Sequence, residues 1–462
     1  MYYLKLKKGG LLMKTRSLTS GNILKSLVSL ALPIMGTSFI QMAYNFTDMI
    51  WIGRLGSLAV TAIGTASFFT WFGQSFVIIS KIGSEVSIAQ HIGANDMDGA
   101  KHYVVNGIKF NLLLALLYSI FLISCQNLLI GFFKLNDASV VSMSKTYLVI
   151  VALGLIFNFI NPMLTGLYTA QGNSSLPFKI NTMGLIFNIV FDPVFIFVFK
   201  LGVAGAAIAT VLAQIVVTIL FIYNIKQSGM ELFKVNFKER FNGAIIKKIC
   251  SLGWPVALQN GLFSFFAMVI GRIITGFGDS ALAVQQIGSQ IESISWMTAD
   301  GFATAIRTFV AQNFGAKKPD RIEKGYKVAI SVALVLGLFA SSLLILGAEP
   351  IFSLFIQEKD IIPMGVDYLR ILGLSQLFMC IEITTAGTFN GLGKTLLPSI
   401  ISIVLTGARI PFSMLLSKPD MLGLNGVWWV ISMSSVVKGI IMVTLFYFMI
   451  YRKRRFGIEN TL

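Results

Sequence analysis

The sequence predicts an all-α integral membrane protein: twelve transmembrane helices in two parallel six-helix repeats, an N-lobe and a C-lobe, around a central cavity. Three observations carry that prediction. The 462 residues are 55% hydrophobic and only 12% charged, with mean hydropathy +0.78, whereas soluble domains carry about 25% charged residues. Apolar runs long enough to cross a bilayer, about 20 residues each, recur along the whole chain. Short motifs also return in the same order at a nearly constant offset.

The spans are expected at 26–53, 58–80, 107–131, 143–168, 178–200 and 203–225, then at 251–275, 281–310, 327–347, 366–390, 396–417 and 424–451. A basic segment (1–25) precedes the N-lobe (26–225). A basic connector (226–250) leads to the C-lobe (251–451), and a basic tail (452–462) follows it. The start lacks a small-residue cleavage site, so the first apolar run is expected to stay as an anchor; Met13 is an alternative start to Met1. The formal charge of +17 follows the positive-inside rule. The basic clusters before span one, in the connector, after span eight and in the tail all fall on one side of an even-numbered bundle. Both termini are therefore expected in the cytoplasm, with the chain multi-pass in the cell membrane. No basic-aromatic module for nucleic acid is visible.

The repeat is read from three pairs. "SLAV" at 57–60 matches "ALAV" at 281–284, "AQHIGAND" at 89–96 matches "AQNFGAKK" at 311–318, and "GLYTAQGNSSLP" at 166–177 matches "GTFNGLGKTLLP" at 387–398. The offsets are 224, 222 and 221 (281 − 57, 311 − 89, 387 − 166). Six spans per half make the repeat parallel, and paired halves of this kind are typical of secondary transporters. "TFNGLGKT" at 388–395 imitates a P-loop, but Thr388 replaces its first glycine and no strand precedes it. The only histidines, His91 and His102, share one loop region, and no HExxH or GxSxG motif occurs, so an enzyme is not expected. Cys125, Cys250 and Cys380 are scattered without metal-ligand spacing and read as packing residues.

Ionisable groups inside spans are costly and mark cavities or partners. Asp48 lies in "YNFTDMIWIGRLG" in span one, and Asp192 in "FNIVFDPVFIF" in span five. Thr210 lies in span six, and all three are expected about 9–15 Å below the outer boundary at 1.5 Å per residue. Asn188 precedes Asp192 by one turn and shares its face. Pro193 removes a backbone N–H and frees a carbonyl. Two carboxylates taken out of water either take up a proton or hold a small cation such as Na⁺. The alternative is that both acids reach water at the span ends or pair with arginine. In the second half, Arg272 stands at the position of Asp48 (48 + 224 = 272), and Arg409 at that of Asn188 (188 + 221 = 409). The acidic pair is therefore not duplicated. Glu292, Asp300, Arg307 and Glu382 are the C-lobe's own intramembrane charges, with structural ion pairing as the competing reading for each.

At these residues the chain resembles the multidrug and toxic compound extrusion (MATE) family, over about residues 20–450. The resemblance rests on "YNFTDMIWIGRLG", "GANDMDGAK", "TAQGNSSLP", "FNIVFDP" and "AQNFGAKKPD". It implies a two-lobed exporter of cationic, amphipathic small molecules by alternating access, driven by H⁺ or Na⁺. It places cation ligands at Asp48, Asn188, Asp192 and Thr210, with the Ala206 carbonyl. One family branch carries a glutamate in span seven; here Gln259 and Asn260 occupy that region, which points coupling to the N-lobe. Gln259, Asn260, Glu292 and Glu382 are expected to line the cavity in the C-lobe. No cofactor is expected beyond the coupling ion, and the chain is expected to act as a monomer in the lipid bilayer. The alternative function is a lipid-linked precursor flippase, with Arg272 and Arg409 as its candidate phosphate-binding groups.

Overall fold

The computed structural model describes residues 17–452 except 136, 357 and 359, and the side chains of 45, 46, 279 and 450–452 are not described. The basic tail, and most of the basic N-terminal segment, lie outside the described residues. What is described is helical. The first half holds α1 (Ile23–Gly53), α2 (Ser57–Gly93), α3 (Met97–Ser124), a short α4 (Gln126–Gly131), α5 (Ala138–Leu153), α6 (Leu155–Ala170), α7 (Ser175–Pro193) and α8 (Gly202–Ser228). The second half holds α9 (Gly243–Thr275), α10 (Asp279–Gly315), α11 (Pro319–Leu346), a short α12 (Ala348–Ser353), α13 (Ile362–Gly391), α14 (Leu396–Gly407), α15 (Arg409–Leu416) and α16 (Gly423–Phe446).

Ten of the described helices, some with their continuations, are long and apolar enough to cross a membrane, and an eleventh span forms if α5 and α6, bent by 49°, count as one. The break falls at Gly154, whose missing side chain leaves room for Val211. The remaining expected span, the eighth at 281–310, is the helix α10, which is too polar to pass as an apolar span. It carries Glu292, Asp300 and Arg307 among glutamines and serines. It packs against α11 and α13, so its polar groups find partners in protein. Lipid-facing surfaces elsewhere are apolar, as on α11, where Phe339 and Leu346 are exposed; α-helices satisfy their own backbone groups and tolerate that exposure.

The duplication is written into the backbone. Left-handed residues recur in pairs: Gly56 with Gly278, Asn95 with Lys317, Gly172 with Gly393, and Gly202 with Gly423. Each pair is 221 or 222 residues apart (278 − 56, 317 − 95, 393 − 172, 423 − 202). The helices these turns introduce match in length: α2 and α10 each have 37 residues, α3 and α11 each 28.

The described chain divides into two compact units. One comprises Gly36–Gly253; the other comprises Thr19–Met35 and the residues from Trp254 on. Both α1 and α9 therefore begin in one unit and continue in the other. The first unit's core is built from Ala66, Tyr118, Leu148, Phe159, Ile196 and Ala207. In the second, α13 packs on α10, α11 and α16, around Phe352, Tyr368, Leu369 and Trp428.

Candidate ion-coupling site

The first unit collects the predicted site. α7 ends at Pro193, and a π-helical turn, Val194–Val198, follows it. Pro193 has no N–H, so the Ile189 carbonyl loses its usual helical donor. The widened turn is closed by Phe199 N–H to Val194 O (2.9 Å) and Leu201 N–H to Phe195 O (3.2 Å). α8 packs directly on this turn because Gly205 has no side chain: a Cβ there would lie 2.6 Å from Phe195 O. That close approach packs the first turn of α8, next to Ala206, against the turn that follows Asp192.

Asp192 is fully buried and Asn188 nearly so. Asn188 Nδ2 donates to Asp192 Oδ1 at 2.7 Å. The Asp48 carboxyl, on α1, meets that of Asp192. Asp192 Oδ2 is buried with no hydrogen-bond donor among the described residues. Thr210 Oγ1 donates to Ala206 O at 3.0 Å. All five predicted residues thus lie in one unit, and Asp48, Asn188 and Asp192 are in contact.

Sequence reasoning missed two tyrosines. Tyr44, one turn before Asp48, lies beside both aspartates and near Thr210. Tyr147, on α5, lies near Ser67 and flanks the same pair. The i, i+4 spacing made Tyr44 findable. Tyr147 had no local signal, since it arrives by tertiary packing.

Two carboxyls in contact, Asp192 fully buried and Asp48 half-buried, served by one amide and flanked by two phenols, have more acceptors than donors. A shared proton supplies the missing donor. Na⁺ fits the same oxygens if Thr210 releases the Ala206 carbonyl, because in this conformation that carbonyl already accepts the threonine hydroxyl. No guanidinium or ammonium lies within ion-pair distance of either acid among the described ion pairs, so the arginine-paired reading of the two aspartates finds no support.

The second unit treats its acids differently. Glu382 is buried in an ion pair with Lys438 Nζ at 3.0 Å and accepts from Ser402 Oγ at 3.2 Å. Lys438 was not singled out in the sequence because span twelve reads as continuously apolar around it. Arg409 is buried and donates to Ser434 Oγ (2.5 Å) and Ser435 Oγ (3.1 Å). Glu292 Oε2 accepts from Gln376 Nε2 at 3.4 Å. Asn260 is exposed on α9 and its amide donates to Val256 O at 2.9 Å; Gln259 is half-buried beside it. Asp300 and Arg272 are exposed. Glu292 and Glu382 lie on α10 and α13, which pack together, whereas no described hydrogen bond joins either to Gln259 or Asn260.

Comparison with known proteins identifies the family and the fold. The MatE family model matches twice, over residues 33–194 and 255–415, so its two copies start 222 residues apart (255 − 33). A probable multidrug resistance protein NorM from Thermotoga maritima is 27% identical over 412 residues, covering 88% of each chain. An FAD transporter from Shewanella oneidensis is 24% identical, covering 93% of this chain and 95% of its own. A crystal structure of MATE in the bent conformation superposes with a TM-score of 0.90 at 23% identity, covering 96% of this chain and 99% of that one.

Proposed function

The chain belongs to the MatE family of multi-pass membrane transporters, and from that premise we propose that it is a cation-coupled exporter whose coupling site is the Asp48–Asp192 pair. The observation that carries the proposal is the orphaned Asp192 Oδ2 facing a second carboxyl in a buried site. Coupling requires a site whose charge changes with the ion it binds. Here one proton or one Na⁺ changes both the charge between α1, α7 and α8 and their packing. Because α1 continues from one unit into the other, a change at Asp48 acts on a helix common to both. The exported molecules are organic cations or related amphipathic compounds, moved by alternating access in antiport with the ion, by a monomer with both termini in the cytoplasm.

A flippase for phosphate-bearing lipids needs free basic groups. Of its two candidate groups, Arg409 is already bonded to Ser434 and Ser435 and Arg272 is an exposed residue in the last turn of α9, so no buried basic pair is on offer, which favours the exporter.

The test is efflux of lipophilic cationic dyes from everted vesicles, with either a pH gradient or a Na⁺ gradient imposed. Asp48→Asn and Asp192→Asn should each abolish gradient-driven efflux at unchanged membrane abundance. Unimpaired efflux in both would overturn the assignment. The gradient that drives wild-type efflux identifies the ion.

A further inference from the structure

The connector from α8 to α9, residues 229–242, sorts its charges. Both of its acids are engaged by α3. Glu231 Oε1 lies 3.4 Å from Lys101 Nζ, and Glu239 Oε2 lies 3.0 Å from His102 Nδ1. Lys109 Nζ donates to the Glu239 carbonyl, and Asn242 N–H donates to Asn106 Oδ1 at 2.8 Å. Leu232 is buried, and Phe233 packs on Tyr168 with ring centroids 5.1 Å apart. The connector is thus fixed to the first unit through its acids and two apolar side chains. Its cations are left out of this arrangement. Lys234, Lys238 and Arg240 are exposed, as are Lys226 in the last turn of α8 and Lys247 and Lys248 near the start of α9. None of these takes part in an ion pair among those described. Phe237 and Phe241 stand among them, 53% and 49% exposed.

Like charges gathered without counterions repel one another, and phenyl rings held in water forgo the gain of burial. A bilayer surface with negative headgroups relieves both. The helices on either side, α8 and α9, are long and apolar enough to cross a membrane, so the connector joining them lies at its surface. Clusters of about four to eight Lys and Arg beside a span attract anionic headgroups, and aromatic rings settle into the boundary between headgroups and acyl chains. We propose that Lys234, Phe237, Lys238, Arg240 and Phe241, extended by the flanking lysines, form a docking surface for anionic phospholipid. The positive-inside rule accounts for lysines in such a loop. It calls neither for exposed phenylalanines among them nor for acids that are occupied elsewhere. Free phosphate would satisfy the cations and leave both rings in water.

This inference goes beyond the exporter reading and does not depend on it, because its readout needs neither transport nor a fixed orientation. The full-length protein is placed in nanodiscs of phosphatidylcholine alone, or of phosphatidylcholine and phosphatidylglycerol in equal parts. Amide hydrogen exchange is then followed over residues 229–242. A single Lys or Arg near an anionic surface is worth about fivefold in binding, so the cluster should slow exchange on the order of tenfold or more in the anionic discs. High salt should remove most of that difference by screening. Lys234→Gln/Lys238→Gln/Arg240→Gln should exchange alike in both discs while its α3 amides keep wild-type protection. Phe237→Ser/Phe241→Ser should lose the part of the protection that survives high salt. Equal wild-type exchange in the two discs would overturn the proposal, as would a triple variant still protected by the anionic lipid. Inorganic phosphate added to pure phosphatidylcholine discs should leave exchange unchanged. Protection by phosphate equal to that in anionic discs would reassign the surface to the free anion and overturn the lipid assignment.

Discussion

Substituting Gly205→Ala tests whether the contact between α8 and the π-helical turn builds the ion site. The new Cβ would lie 2.6 Å from Phe195 O, 2.7 Å from its carbonyl carbon and 3.0 Å from Ile196 N. All three are backbone atoms, so no side chain can rotate away. A carbon–oxygen contact is comfortable at about 3.3 Å, so the helix and the turn must separate by about 0.7 Å. Overpacking of this kind costs about 1–3 kcal/mol. Ala206 is the adjacent residue and Thr210 lies one turn further, so the displacement reaches the site directly. A misplacement of about 1 Å in a preorganised site costs about 100-fold, and 0.7 Å should cost on the order of tenfold in the coupled efflux rate. Gly64→Ala is the control, because a Cβ at Gly64 in α2 would meet nothing within 4 Å. The assay is cationic-dye efflux per transporter molecule, normalised to membrane abundance. Wild-type efflux per molecule in Gly205→Ala would refute the claim that this contact positions the site. Equal losses in the Gly64 control would show that helix glycines matter here for another reason.

Removing one partner of the buried pair, Lys438→Met, should strand Glu382 and cost about 3–5 kcal/mol, read as a lowered thermal-aggregation temperature. The double variant Lys438→Met/Glu382→Met should recover most of that loss, and a double variant worse than the single would refute the pairing. Asp96→Ala removes the cap of α3, where Asp96 Oδ1 accepts Gly99 N–H at 2.9 Å. The loss of a helix cap is worth about 1 kcal/mol. The Gly99 N–H, and then the His91 ring, hold the Asp96 carboxyl below its ordinary range. Its contribution is therefore present above the unfolded carboxyl's value of about 3.9 and fades as pH falls through the lower folded value. A hydrogen-exchange profile of the α2–α3 turn should accordingly loosen in wild type only under acid, and in Asp96→Ala at neutral pH already. Enlarging Gly253, whose Cβ would lie 2.0 Å from Ile79 O, should sharply reduce the yield of folded protein, whereas the same change at Gly271, with open space around it, should not.

Much of this architecture was legible because hydropathy and repetition are both local signals. The left-handed turns fell where the repeated motifs fell, since the turn at Gly172 and its partner at Gly393 need a residue with no Cβ. The limits came from tertiary compensation. α10 failed the plain apolar test because it carries charged and amide side chains, and two of them, Gln285 and Glu292, are bonded by α13, which no local window contains. The carboxyl pair was legible because depth along a helix can be counted from its ends, and Asn188 lay at the right spacing. Tyr147 was not, because α5 delivers it from a hundred residues away. Lys438 was hidden for a related reason: one lysine in an apolar run reads as tolerable until its partner, Glu382, is seen 3.0 Å away.

The two units share turns and helix lengths but not chemistry, and the difference follows a rule. Packing roles survived duplication: the backbone conformations at 56/278, 95/317, 172/393 and 202/423 are paired. Charge did not: Asp48 faces Asp192, whereas its counterpart Arg272 is exposed and touches neither Glu292 nor Glu382 by any described bond. Within the second unit Glu382 is paired with Lys438 at 3.0 Å, and Arg409 bonds two serine hydroxyls. Within the first, Asp48 and Asp192 face each other with no described cation beside them. A buried site with unbalanced charge is held only as long as an ion or proton offsets it. A balanced one persists without any ligand. Duplication in this chain copied the scaffold and left each half to build its own electrostatics.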